Sequence, residues 1–108
     1  MDIEERLDEL REQAKKYAKD QAHVGYLEEF KKSKLAILMK KAETRGFTTA
    51  AAQEREARAD QEYIGLLEGL EAASEAAEAA RYDLKIAEWA IEIWRTRQAT
   101  KRAEMNLR

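Results

Sequence analysis

The only histidine, His23, follows Asp20 by three residues, a spacing that on a helix sets a carboxylate beside an imidazole and could orient it as a general base. Nothing completes that pair. There is no cysteine, no second histidine, no nucleophile arranged beside it and no glycine-rich phosphate loop. His23 is therefore expected as an ordinary surface or seam residue. Carboxylates are abundant, but they lie among lysines at helix-surface spacing, without the Glu-x-x-His pattern that di-iron bundles use. The expectation is a chain with no catalytic residues, no metal and no cofactor, and so not an enzyme.

Two basic runs carry the other chemistry. The run Trp94–Arg102, WRTRQATKR, places Arg95, Arg97, Lys101 and Arg102 where they could neutralise phosphates, with Trp94 or Tyr82 available to stack on a base. The run Lys31–Lys41, KKSKLAILMKK, offers a second patch. For both, the simpler expectation is pairing with acidic stretches of the same or a neighbouring chain. Nucleic acid is thus a secondary expectation.

The elements that position these residues follow from composition and period. The chain has 108 residues, 44% hydrophobic and 39% charged, with no proline or cysteine and a net charge of −2. That length suits one domain, and the charge fraction points to long exposed helices. The acidic start, MDIEERLDEL, is the opposite of a signal peptide's basic region, and no apolar run approaches the ~20 residues that span a bilayer. A cytoplasmic protein without membrane contact is expected.

Apolar residues three or four apart, from Ile3 through Leu7, Leu10, Ala14, Tyr17, Val24, Leu27, Phe30, Leu35 and Leu38 to Ala42, predict an amphipathic helix over residues 2–45. Gly25 and the polar gap near Gln21 suggest a stutter or bend. Gly46 is the natural stop, Thr48 or Thr49 can cap a short helix over 49–59, and Asp60 can cap a helix over 61–106. In that last helix Leu70, Ala73, Ala77, Ala80, Leu84, Ala87, Ile91, Trp94 and Gln98 alternate steps of three and four, as a coiled-coil seam requires.

The short linker folds the two long helices antiparallel, so the expected architecture is an all-α helical hairpin with a short bridging helix, a single domain over residues 1–108. Charge agrees. Residues 2–12 are net −4 and residues 95–108 net +4, while 31–45 are net +5 and 61–78 net −5. Folding back near residue 53 sets opposite blocks side by side.

Tyr82, Ile86, Trp89 and Ile93 fall outside the seam, about 140–200° around the helix from Leu84 at 100° per residue. A hairpin partner covers one side only, so a second cover is expected for these four. Another copy of the chain is preferred, giving a four-helix or larger bundle. The N-terminal segment or short helix, and a foreign partner, are the alternatives.

Ile91–Arg102, with Ala50–Tyr63 and Tyr26–Met39, resembles a group of small helical proteins encoded by tailed phages, Trp94-Arg95-Thr96 being its most specific part. Gln61 stands where those proteins commonly have proline. The resemblance implies a phage protein acting in the host cytoplasm, its gene lying among recombination and replication genes. The function expected is a non-enzymatic interaction module accessory to recombination or DNA metabolism, bound to a phage or host protein. The alternatives are a counter-defence protein that blocks a host immune protein or sequesters a signalling nucleotide, and a structural or assembly component of a virion.

Overall fold

In a computed structural model, which describes residues 2–107, the chain is an all-α helical hairpin with a bridging helix. The elements are α1 (Ile3–Thr44), α2 (Ala50–Ala59) and α3 (Gln61–Asn106), each bound within a residue or so of the sequence expectation. Among the described residues there is no strand.

Each boundary has a local cause. Asp2 caps α1, its Oδ1 accepting from the Glu5 amide at 2.8 Å. At the other end Gly46 takes φ +106°, the Gly46 amide donates to the Glu43 carbonyl and the Phe47 amide to the Ala42 carbonyl, both at 3.1 Å. That pair of bonds is a Schellman motif, and its positive φ is why glycine ends the helix there. Of the two threonines, Thr49 is the cap of α2, its hydroxyl accepting from the Ala52 amide at 3.1 Å. Asp60 ends α2 in extended backbone and accepts from the Glu62 amide at 2.8 Å, so α3 begins within one residue.

The chain divides into two compact units. One is Asp20–Ala76, where α2 packs with the second half of α1 and the start of α3. Leu38, Ala57 and Tyr63, one from each helix, are 2%, 1% and 4% exposed, with Leu35 and Met39 packed against them. Three helices meeting at a point can enclose a large side chain such as Leu38 or Tyr63, whereas among the described residues of the other, two-helix unit only the small Ala77 and Ala80 are buried. Lys34 adds an ion pair to Glu62 at 3.0 Å, the charge-block pairing seen directly. Phe30 lies exposed on α1, stacked with Tyr26 at a ring separation of 5.9 Å.

The other unit joins the chain before Asp20 to the chain after Ala76. Here only α1 and α3 are available. The α3 seam is as expected, Ala77 and Ala80 buried and Leu84, Ala87, Ile91, Trp94 and Gln98 half-buried. On α1 the inward positions are Ile3, Arg6, Leu10, Gln13 and Tyr17, whereas Leu7 and Ala14, expected on the apolar face, are exposed. In the Asp20–Ala76 unit the inward positions continue as Asp20, Val24, Leu27, Lys31, Lys34 and Leu38, so α1 passes Gly25 as one helix and the three-four alternation shows no stutter.

A candidate docking face on α3

In the unit that lacks α2, Tyr82, Ile86, Trp89 and Ile93 are 52–59% exposed, so no other part of the described chain shields them. Between them and the seam lies Ala90, half-buried. Ordered around the helix, Leu84, Ile91, Ala87, Trp94, Ala90, Ile86, Ile93, Tyr82 and Trp89 form a continuous fan of about 220°, interrupted by Asp83 and Arg97. The remaining arc holds Glu78, Arg81, Lys85, Glu88, Glu92 and Arg95. The two stripes are thus edges of one broad apolar surface, of which α1 covers one edge.

On the Ala90 side that surface continues into an open groove of about 360 Å³, lined on α3 by Asp83, Ile86, Ala87 and Ala90 and on α1 by Arg6, Glu9 and Gln13. Its alanine floor permits close approach of another backbone. Arg6 Nε and Gln13 Oε1 are shut from solvent and have no hydrogen-bond partner among the described residues. A polar group so placed destabilises the fold by about 1–3 kcal/mol relative to a satisfied one. These two residues escape an apolar-only reading of α1. A heptad counted back from Leu38 in alternate steps of four and three finds both.

Local charge holds the face in shape. Arg81 is ion-paired through two hydrogen bonds to Glu78 three residues earlier, and its guanidinium lies 4.8 Å from the Tyr82 ring centroid. The hydrogen bond from Arg81 lowers the Glu78 carboxyl below its usual value and correspondingly raises the guanidinium. Such a cation over an aromatic face favours one ring position.

The basic residues at the end of α3 are exposed. Arg95 donates to Glu92 on its own helix at 3.0 Å, and Arg97, Lys101 and Arg102 lie on the surface near half-buried Trp94. After Gln98 every described residue is exposed, so α3 there offers a solvated helix bearing Lys101 and Arg102. Glu92 and Glu104 line the shallow clefts beside Trp94 and dilute the positive charge.

The remaining candidates assemble no site. His23 is exposed on α1, and no three metal-ligating side chains come together among the described residues. No described helix is long and apolar enough to cross a membrane. The chain matches no known family model, curated protein or solved structure.

Proposed function

We propose that this chain is a non-enzymatic, self-associating interaction module whose working surface is the outer face of α3. The observation that carries this is the exposure of Tyr82, Ile86, Trp89 and Ile93 on a helix whose opposite edge is already covered. Aromatic and aliphatic side chains grouped in this way, bordered by charges, are what interface centres are made of. The resemblance of Trp94-Arg95-Thr96 and its flanks to small phage proteins supports a phage origin and a role accessory to recombination or DNA metabolism in the host cytoplasm.

A double variant, Trp89→Glu with Ile93→Glu, tests the reading. It should keep its circular dichroism helicity, because both side chains are already half in solvent, and should lose the complexes formed by the parent chain in infected cells. Recovery of a phage annealing or single-strand-binding protein with the parent chain supports the recombination role. A host immune protein or a bound nucleotide in its place transfers the same face to counter-defence, and abundance in purified virions transfers it to assembly. Retention of every complex by the double variant removes the α3 face from the function.

One observation favours a second activity on the same helix. Lys101 and Arg102 are exposed where α3 has run out of covered seam residues, and Arg97 is exposed just before that point. Binding of a single-stranded oligonucleotide there should weaken steeply with salt, as counterion release requires.

A further inference from the structure

We infer that the outer face of α3 docks on the same face of a second copy of this chain, antiparallel, about a two-fold axis between Ile86 and Trp89. The inference rests on the self-association proposed above and adds its orientation and register.

The spacing carries it. Ala79, Tyr82, Ile86, Trp89, Ile93 and Thr96 step by three, four, three, four and three, a second heptad on the helix that already devotes one to α1. This series reads the same in both directions, so a two-fold at its centre sets seam position against seam position. Ile86 then meets the partner's Trp89, Tyr82 meets the partner's Ile93, and Ala79 meets the partner's Thr96. Each bulky side chain faces another bulky one, and the two smallest lie at the margins. An isologous contact needs such self-complementarity, residue i on j and j on i.

Charge selects the same orientation. Lys85 and Glu92 flank the stripe on its polar side, seven residues apart. In the antiparallel pairing Lys85 comes beside the partner's Glu92, and the symmetry repeats the attraction. The acidic start of the face at Glu78 also points toward the partner's Arg95–Arg102 end. In a parallel pairing Trp89 would stack on its own copy, Glu78 would come beside the partner's Asp83 and the basic ends would lie together, with Glu92 beside the partner's Arg97 as the one attractive flank. Like charges at flanking positions oppose association, so the parallel form is the weaker.

The fold leaves room for this arrangement. The α3 groove beside Ala87 and Ala90 borders Ile86, so a helix docked there approaches α1 as well. Ion pairs at such exposed flanks orient more than they bind, and the apolar layers supply the affinity.

The experiment uses the whole chain, which has no cysteine of its own. Light scattering over a concentration series up to about 1 mM should approach twice the 12.5 kDa chain mass. A Thr100→Cys chain carrying a spin label should then give a label separation of about 40 Å by pulsed electron resonance, since the two-fold sets Thr100 about 25 residues along α3 from its mate at 1.5 Å each. A separation of about 10–15 Å, the parallel value, overturns the orientation while leaving self-association standing. A monomer throughout the series overturns both. Charge reversal sharpens the result: Lys85→Glu should weaken association about tenfold, and adding Glu92→Lys should restore it. Failure of that rescue with the dimer intact overturns the register.

Discussion

The Asp20–Ala76 unit and the unit formed by the two ends of the chain are built from the same pair of helices, yet one encloses large side chains and the other only the alanines Ala77 and Ala80. In the first, α2 supplies a third wall, and Leu38, Ala57 and Tyr63 vanish from solvent. In the second, α3 presents an apolar fan of about 220° to a single neighbour. Leu84, Ile91 and Trp94 are consequently half-buried there, and Tyr82, Ile86, Trp89 and Ile93 stay in water. A two-helix hairpin lacks the surface to shut off a core, and the end without a third helix is the end that exposes a docking face.

The largest expected effect tests that contrast directly. Leu38→Ala should lower unfolding free energy by about 3 kcal/mol, because it leaves a cavity walled by three helices. Leu84→Ala should cost about half as much, since its side chain is already partly hydrated and the neighbouring helices can settle. Urea unfolding followed by circular dichroism reads both. Equal losses would show that the two units are enclosed alike, against the difference argued above.

How far these features can be read from residue order follows the same division. The α3 seam from Leu70 to Gln98 is legible position by position because alanine and larger apolar residues hold every seam site except the last. The caps at Thr49 and Asp60 and the stop at Gly46 are legible because each residue type has a specific backbone job. The inward face of α1 is not legible from hydrophobicity. Arg6, Gln13, Asp20, Lys31 and Lys34 occupy seam sites, while Leu7, Ala14 and Phe30 point outward. All of these seam residues but the short Asp20 have long polar side chains, which reach such sites by laying their aliphatic stems on the seam and give no apolar signal. The docking stripe on α3 is legible as an excess of apolar residues. Its joining to the seam through Ala90, and the groove beside it, need coordinates.

A middle-sized effect concerns the corner that lets α2 fold back at all. Gly46→Ala forces a side chain into φ +106°, where L residues are strained although nothing lies within contact of the added methyl. The cost should be about 1–2 kcal/mol, visible as a lower Tm, and it should fall on the unit containing α2. Hydrogen exchange should therefore accelerate around Phe47 and Ala57 more than around Leu84.

A smaller change of opposite sign should come from the open unit. Gln13→Leu removes an Oε1 that is shielded and unpartnered among the described residues, and gives up only an exposed Nε2 bond to Glu9 at 2.9 Å, which contributes little next to solvent. Stability should rise by about 1 kcal/mol, or roughly 4 °C in Tm. An unchanged or lower Tm would mean that Gln13 is satisfied in solution, and the open unit would then be less frustrated than its geometry indicates.

The smallest effect is electrostatic and local to the docking face. Because Arg81 holds the Glu78 carboxyl below its ordinary value, this pair contributes stability at pH above the ordinary carboxylate value and loses it as pH falls through the lowered one. Both side chains are solvated, so global unfolding should barely register the change. A carboxyl titration by NMR should register it: Arg81→Gln should move the Glu78 titration upward, toward the ordinary carboxylate range. The same substitution removes the cation from the Tyr82 ring, so the Tyr82 resonances should move with it and rotation of the ring should quicken. If Glu78 titrates alike in both chains, the ion pair is absent in solution and the ring of Tyr82 is positioned without it; a shift in Glu78 with no change at Tyr82 would separate the two contacts of Arg81 and leave the docking face shaped by its apolar side chains.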